Sequence, residues 1–341
     1  MLGNPGITHV QSLRNALGEL LEADARVILV GEDLVDPYGG AFGVTRGLST
    51  LYPGRVVASP ISEAAIVGVG VGLALKGFRP IVEIMFGDFI TLAADQLINV
   101  AAKVEGMYGG HALAPVVVRT PMGGGRGYGP THSQTLDKVI LGTPGIRVIA
   151  PSLFHDSGAL LKSAVQADTG PVLFSEHKLL YGMGISDNVD GNQIQELPGL
   201  GGYHTIVVRN YDRGVPDVGV VAYGGVSRIL AKVMVDLAVE EIRVKAVLPA
   251  SVQPVPENDL MDALSDVRAV LVLEEGTADF GWGAEIAARL AAGLWPKLRA
   301  PIARIGARNN VIPAAIGLEA ATLPNARGIR DGILELVHCS Q

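Results

Sequence analysis

Cysteine and concentrated positive charge are both scarce in this sequence of 341 residues. The single cysteine, Cys339, excludes an internal disulfide framework, and the seven scattered histidines show no metal-ligand spacing. The net charge is −7 and no Lys/Arg cluster occurs, so we expect no nucleic-acid partner. No apolar run reaches the ~20 residues of a membrane span. The first residues also lack the pattern of a signal peptide, so we expect a cytoplasmic protein without a membrane contact.

Short apolar runs alternate with helical patterns along the whole chain. The runs are typical of buried strands, because they are rich in Val and Ile and apolar throughout. Strands are predicted at 27–33, 79–86, 115–121, 146–152, 171–176, 216–225, 242–248 and 269–276. Helices are predicted at 10–24, 62–76, 90–105, 156–167, 227–239, 257–264, 281–292 and 326–337. The alternation predicts an α/β fold with two three-layer domains and mainly parallel sheets, at 1–190 and 215–341, joined by a linker at 191–214.

Three features are candidates for a functional site. Gly68, Gly70 and Gly72 form a GxGxG string, but they lie inside a predicted helix, where glycines indicate close packing more than phosphate binding. Glu63 opens this apolar helix without a nearby Lys or Arg. It is either an exposed partner of the helix dipole, worth ~0.3–1 kcal/mol, or a buried carboxyl of a site. His132 follows the glycine-rich stretch 123–130 beyond a predicted strand, where active sites of parallel sheets lie, although such a loop can also be purely structural.

Several ordered blocks carry a resemblance to a known family. They are GEDLVDPYGGAFGVTRGL (31–48), SPISEAAIVGVGVGLALKGFRPIVEIMFGDF (59–89), DQLINVAAK (95–103), PVVVRTPMGGG (115–125), HSQ (132–134), TPGIRVIAPS (143–152), GPVLFSEHKLLYG (170–182) and EEGTADFGWGAEIAARL (274–290). With these blocks the chain resembles the beta subunit of thiamine-diphosphate-dependent 2-oxoacid dehydrogenases, as found in pyruvate, branched-chain 2-oxoacid and acetoin dehydrogenase complexes. The resemblance implies a thiamine-diphosphate-binding fold, with a transketolase-like pyrimidine-binding domain followed by the transketolase C-terminal domain.

The resemblance also implies roles for individual residues. Glu63 matches the catalytic glutamate that hydrogen-bonds the pyrimidine ring of thiamine diphosphate. Phe89 matches the aromatic residue that stacks on this ring, and Ile61 and Met85 match neighbouring cofactor contacts. His132 matches a catalytic histidine on the substrate side. The activity implied is oxidative decarboxylation of a small 2-oxoacid, followed by transfer of the acyl group to a lipoyl or other carrier.

Metal ions and partners follow from the same resemblance. Thiamine enzymes bind the diphosphate through magnesium with a GDG motif, whereas Asp190-Gly191 and Asp331-Gly332 both lack the preceding glycine. The resemblance therefore implies an alpha subunit that holds diphosphate and magnesium in an alpha–beta heterotetramer, and without which this chain is inactive. A lipoyl acyltransferase core is the further partner implied. Family members also bind potassium through backbone oxygens, at positions matching Val116, Ala164, Val165 and Asp168.

Two other interpretations stay open. A split transketolase-type enzyme would move a ketol unit between sugars, a reaction that favours several His and Arg residues for sugar and phosphate recognition. The region 123–129 offers only Arg126 for this purpose. A non-catalytic partner subunit could also keep the fold, but such decay is expected to remove Glu63, Phe89 and His132 first.

Overall fold

The computed structural model describes residues 6–186 and 193–340 and contains two sheets covered by helices. The strands are β1 (Val27–Gly31), β2 (Val56–Ala58), β3 (Arg79–Glu83), β4 (Val117–Met122), β5 (Arg147–Ile149), β6 (Val172–His177), β7 (Gln193–Leu200), β8 (Tyr203–Arg209), β9 (Val218–Ala222), β10 (Val244–Pro249), β11 (Ser251–Gln253), β12 (Val270–Thr277) and β13 (Ala303–Ala307). The helices are α1 (His9–Ala23), α2 (Leu48–Leu51), α3 (Glu63–Leu75), α4 (Ile90–Asp95), α5 (Val104–Met107), α6 (Ser157–Ala167), α7 (Ser227–Val239), α8 (Glu257–Ala263), α9 (Trp282–Leu294), α10 (Ile316–Thr322) and α11 (Ala326–Ser340).

Both sheets are mainly parallel, so the predicted fold class is confirmed. The first sheet has the strand order β11-β5-β6-β4-β3-β1-β2, in which only β11 runs antiparallel to its neighbour. The second has the order β13-β12-β9-β10-β8-β7, with antiparallel pairing confined to β8 and β7. Strands β4, β6, β9 and β10 are buried along their whole length, as their continuous Val- and Leu-rich runs predict.

Helix ends follow ordinary capping chemistry. Helix α1 begins with a capping box, in which the Thr8 side chain and Gln11 satisfy each other's backbone N–H groups. The Asp156 side chain accepts the Ala159 N–H at 3.0 Å and caps α6. Helices α1 and α6 pack against each other on one face of the first sheet. No helix in the described part of the chain has the length and apolar character of a membrane span.

The structure differs from the sequence-based expectation in two segments. The helix predicted at 90–105 is broken into α4, a π-helical turn at Gln96–Val100, a 3₁₀ turn at Ala101–Lys103 and α5. The predicted linker 191–214 contains β7 and β8 within its described part, residues 193–214. Strand β7 alternates between exposed and half-buried residues. It therefore lacks the continuous apolar run that predicts a buried strand. The domain bounds themselves stay a prediction.

The two sheets are joined by strand β11, which comes from the second half of the chain but pairs with β5 of the first sheet. The Gln253 side chain fixes this crossing. It accepts the Gly142 N–H at 2.6 Å and donates to the backbone oxygens of Thr143 and Ile146, both at 2.9 Å. Residues 142–146 of the first half are thereby held against the second half.

The contact between α1 and α6 gives a prediction about stability. A Cβ added at Gly158 would lie 2.3 Å from the Ser12 backbone oxygen, closer than packing allows. We expect Gly158→Ala to lower the free energy of unfolding by about 1–3 kcal/mol, because the helices must move apart. The measurement is urea unfolding followed by circular dichroism.

Gly18→Ala is the matched control in the same helix pair. A Cβ there would meet only the Leu48 side chain, at an ordinary 3.7 Å. This variant should be neutral or more stable by up to ~1 kcal/mol, since alanine favours a helix. Equal stability of the two variants would contradict the packing argument.

Candidate active site

Glu63 begins helix α3, which follows strand β2 at the carboxyl edge of the first sheet. The residue is only 5% exposed, so the interpretation of Glu63 as an exposed dipole partner is wrong. Its carboxylate has no hydrogen-bond partner among the residues that the structure describes, and its oxygens are not among the fully buried atoms. A largely buried acid at the carboxyl edge of a parallel sheet is a candidate for a functional site.

Glu32 is a second buried acid at this edge, which the sequence analysis missed. It follows β1 directly, and its Oε1 atom is buried without a hydrogen-bond partner. Burial, and then the charges of Glu63 and Asp33, raise the pKa of Glu32. Two neighbouring carboxyls in a dry setting are not readily ionised together, so the pair is suited to holding a proton. The only signal in the sequence was an acid directly after a buried strand.

Phe89 and His132, predicted on separate grounds, lie in one aromatic cluster. Their ring centroids are 5.2 Å apart in an edge-to-face arrangement. Phe86 contacts both, with centroid distances of 4.7 Å to His132 and 6.1 Å to Phe89. The His132 Nδ1 atom is 3.0 Å from the Thr131 hydroxyl. The structure therefore brings the end of the glycine-rich loop to the segment that follows β3.

The other two predicted cofactor contacts differ in exposure. Ile61 lies two residues before Glu63 and is 83% exposed. Met85 is half-buried just after β3, on the chain segment that leads to Phe89. Both lie at the same carboxyl edge as Glu63. No group of three or more His, Cys, Asp or Glu side chains within residues 6–186 and 193–340 is placed to hold a metal ion.

A buried lysine lies behind the aromatic cluster. The Lys178 Nζ atom is 5.4 Å from the centroid of the Phe86 ring and donates to the Pro121 backbone oxygen at 3.4 Å. The side chain is fully buried, and burial lowers its pKa to about 8. Sequence reasoning missed Lys178, because a lysine after a strand is usually exposed. A buried ammonium close to His132 gives this side of the edge a positive character.

The glycine-rich loop 123–130, called the glycine loop below, is held by two acids from the second half of the chain. The Gly124 N–H donates to Glu275 Oε1 at 2.8 Å. The N–H groups of Gly125 and Gly127 donate to the two oxygens of Glu319 at 2.9 and 2.8 Å. Sequence analysis did not identify these two acids, since they come about 150 to 200 residues later in the chain.

Two of the four backbone oxygens predicted for potassium already accept hydrogen bonds within the chain. The Val116 oxygen accepts the Val172 N–H at 2.9 Å, and the Asp168 oxygen accepts an Arg79 guanidinium N–H at 2.9 Å. Ala164 and Val165 lie in the last turn of α6. A guanidinium at the Asp168 oxygen disfavours a second cation beside it. The carbonyls of the last helical turn have no partner within the helix, so the potassium site stays a prediction.

Neighbouring acids on strand β12 have opposite protonation preferences. Burial alone would raise the pKa of Glu275. The charge of His177, its hydrogen bond to Glu275 at 2.8 Å and the Gly124 N–H outweigh this effect and lower the pKa of Glu275 to about 2. Burial raises the pKa of Glu274 to about 7, although the Gly283 N–H donates to it at 2.9 Å. The two side chains point to opposite faces of the strand, so Glu275 reaches the glycine loop and Glu274 reaches the start of α9.

Comparison with protein families divides the chain in two. Residues 6–183 match the family described as transketolase, pyrimidine binding domain, and residues 209–329 match transketolase, C-terminal domain. A split gene transketolase, solved as an inactive beta4 tetramer, has a similar fold with a TM-score of 0.72. The alignment covers 98% of this chain and 100% of that one, at 19% identity, so this likeness concerns the fold alone.

Curated relatives are similar over nearly their whole length. The acetoin:2,6-dichlorophenolindophenol oxidoreductase subunit beta of Cupriavidus necator is 32% identical, over 93% of this chain and 94% of the relative. The mitochondrial pyruvate dehydrogenase E1 component subunit beta of Dictyostelium discoideum is 34% identical, over 95% and 89%. The pyruvate dehydrogenase E1 component subunit beta of Staphylococcus epidermidis is 32% identical, over 95% and 96%.

The raised pKa of Glu274 predicts a pH dependence of stability. The folded state keeps a proton that the unfolded chain loses above about pH 4.5, so stability decreases as the pH rises towards about 7. Glu274→Gln keeps the acceptor for the Gly283 N–H but has no proton to lose. Between pH 5 and pH 8 we expect the variant to gain about 1–3 kcal/mol of unfolding free energy relative to the natural chain. Urea unfolding at both pH values measures this, and parallel pH profiles of the two proteins would contradict the assignment.

Proposed function

Because the chain belongs to the family of thiamine-diphosphate-dependent 2-oxoacid dehydrogenase beta subunits, we propose that it forms one side of a cofactor site completed by an alpha subunit. The assembly oxidatively decarboxylates a small 2-oxoacid and passes the acyl group to a lipoyl carrier on an acyltransferase core. The observation that carries this proposal is the position of Glu63, which is 5% exposed and begins α3 at the carboxyl edge of the first sheet.

The residues at this edge fit the pyrimidine half of thiamine diphosphate. A flat, polar ring needs a buried hydrogen-bonding acid and an apolar or aromatic wall. Glu63 provides the acid, and Phe89, Ile61 and Met85 provide the wall. When bound, thiamine diphosphate supplies the electron sink that accepts the bonding electrons as carbon dioxide leaves. We further propose that magnesium and the diphosphate are held by the partner.

The chain's own residues then move protons and exclude water. Glu63 would exchange a proton between its carboxyl and the pyrimidine ring nitrogen of the bound cofactor. Burial, and then the charges of Glu63 and Asp33, raise the pKa of Glu32, so Glu32 is the member of the pair that holds a proton more readily. His132, braced by Phe86 and Phe89, presents its ring to the substrate side, where it steadies the carboxylate or delivers a proton. Lys178 adds positive potential on that side without contact with solvent.

Exposed apolar side chains support the proposed alpha subunit. Ile61, Val57, Val69, Leu75 and Leu92 are each at least 40% exposed, and they lie on or beside β2, α3 and α4. Neighbouring exposed apolar side chains beside a candidate site indicate a surface that a partner covers. It adjoins Glu63, so the proposed partner also closes the site against water. The alpha–beta heterotetramer remains a proposal on this basis.

No step of the proposed reaction involves potassium. The relative from Dictyostelium discoideum is named mitochondrial, and the cytoplasmic location predicted for this chain stays a prediction.

The central test replaces Glu63 by Gln in the assembled protein. The variant keeps the size and a hydrogen-bonding group but cannot exchange a proton. We expect thiamine diphosphate to bind with similar affinity by calorimetry, while decarboxylation of pyruvate and branched-chain 2-oxoacids falls by ~10²–10⁴-fold, the usual contribution of a positioned acid or base.

Glu22→Gln serves as the control, because Glu22 is an exposed acid on α1 and is not one of the proposed site residues. It should keep full activity. A Glu63→Gln protein with unchanged turnover would refute the assignment of Glu63. Turnover of ketose phosphates in place of 2-oxoacids by the natural assembly would instead favour the split transketolase interpretation.

A further prediction concerns assembly. The isolated chain should bind thiamine diphosphate weakly and without dependence on magnesium, because it provides only the pyrimidine side. Mixing with the cognate alpha subunit should produce magnesium-dependent binding and a heterotetramer by light scattering. Tight magnesium-dependent binding to the isolated chain would contradict a shared site.

A further inference from the structure

We propose that Glu275 and Glu319 are positioning residues, which hold the glycine loop and through it set the position of His132. The inference rests on the proposed function for the role of His132, but its geometry stands on its own. Glu275 lies on β12 and Glu319 on α10, so both acids come from the second half of the chain while the loop comes from the first. The second half would thereby control the geometry of a site residue that it does not contact.

The glycine loop has a backbone that attracts anions. Gly123, Gly125, Gly127 and Gly129 all have positive φ values, between 69° and 90°. A chain with left-handed residues at every second position turns successive N–H groups towards one side, and such concave arrangements bind negative charge. Here the N–H groups of Gly124, Gly125 and Gly127 all donate to carboxylate oxygens at 2.8–2.9 Å. The carboxylates of Glu275 and Glu319 therefore occupy the anion-binding site that the loop backbone forms.

Both carboxylates are well placed to act as fixed anchors. Glu319 is 1% exposed and Glu275 is 8% exposed, so water does not compete effectively for their oxygens. Glu319 uses both oxygens on the loop. Glu275 uses one oxygen on the loop and the other on the His177 ring at 2.8 Å. Charge-assisted hydrogen bonds in such a setting are short, directional and stronger than neutral ones.

The fit around Gly123 shows that this contact tolerates little displacement. A Cβ at Gly123 would lie 2.0 Å from His177 Nε2 and 2.7 Å from Glu275 Oε1. A Cβ at Gly124 would lie 3.0 Å from Glu319 Oε1. The glycines therefore do more than allow positive φ, because they let the backbone approach the acids from the other sheet.

The loop transmits this position directly to His132. The His132 N–H donates to the Gly129 oxygen at 3.4 Å, and the Gly123 N–H donates to the Gln134 oxygen at 3.1 Å. Gln134 is in turn anchored to the Asp88 carboxylate through its backbone and side-chain N–H groups, at 3.2 and 2.9 Å. His132 thus lies between the clamped loop and the segment that carries Phe89. A shift of the loop moves the imidazole relative to that ring.

The test uses Glu319→Gln in the assembled protein. An amide NH₂ would face one of the two loop N–H groups, so one hydrogen bond is lost and the loop is released. We expect faster amide exchange in residues 123–130 by mass spectrometry. We also expect kcat to fall by on the order of 10²-fold with little change in KM for the 2-oxoacid, since a misplacement of about 1 Å has effects of this size. Glu319→Asp, which keeps the charge but is one methylene shorter, should show an intermediate loss and covers the case in which the Gln variant does not fold.

A double-variant cycle separates positioning from a general structural role. If Glu319 acts through His132, Glu319→Gln should cost little further activity in a chain that already carries His132→Ala. Glu240→Gln is the matched control, because Glu240 is an acid of the same half of the chain that pairs with Arg330 far from the loop. It should change neither exchange nor kcat.

Two results would overturn the inference. One is natural amide exchange in the glycine loop of both Glu319 variants. The other is an independent effect of the two substitutions, in which Glu319→Gln lowers kcat by the same factor in the His132→Ala chain as in the natural chain. A natural assembly that turns over no 2-oxoacid would refute the proposed function instead, while the amide exchange would still report on the clamp.

Discussion

The need to satisfy buried charge shapes the first sheet around Arg119. This residue lies in the middle strand β4 and is 2% exposed. Its guanidinium donates to Glu176 on β6 at 2.8 and 2.7 Å and forms an ion pair with Glu83 on β3. Removing one member of such a group leaves an uncompensated charge, which costs about 3–5 kcal/mol. Three adjacent strands are thereby fixed in register below the edge that carries the proposed site.

Buried charges also need partners where the two halves of the chain meet, and there the partners are of a different kind. There the buried acids Glu275 and Glu319 are satisfied by backbone N–H groups of the glycine loop and by His177. Only a glycine-rich segment offers several N–H groups to one side, because the turns require positive φ. The need of these acids for hydrogen-bond donors therefore explains why the loop is rich in glycine. The same hydrogen bonds connect the two halves of the chain. Against this background, Glu63 and Glu32 stand out as acids whose oxygens lack such partners.

Much of the fold followed from the sequence, because buried parallel strands give continuous apolar runs. The runs at 79–86 and 171–176 correspond to β3 and β6, and the helix predicted at 227–239 has the bounds of α7. Strands β7 and β13 were missed, since edge strands are partly exposed and lack that signal. The π-helical turn at Gln96–Val100 was missed for another reason, since apolar spacing does not distinguish it from an α-helix.

Some residues of the candidate site could be predicted from short stretches of sequence, whereas others are brought there only by the fold. Glu63, Phe89 and His132 could be named from short ordered blocks, and the structure places Phe89 and His132 in contact. Glu32, Phe86 and Lys178 could not, because their environment depends on strands brought together from distant parts of the chain. Glu319 lies 194 residues from the Gly125 N–H that it accepts, and no local pattern encodes that pairing.

The carboxyl edge carries charges of both signs near the proposed reaction site. The acids Glu32 and Glu63 lie directly after β1 and at the start of α3. Lys178 lies over the Phe86 ring, and the Arg126 guanidinium is 5.4 Å from the Phe42 ring. Both cations are attracted by the ring quadrupole, and the charges of Asp88 and Glu275 also favour the protonated form of Lys178. In the proposed reaction, these two cations would attract an anionic 2-oxoacid towards the side of the edge that carries His132.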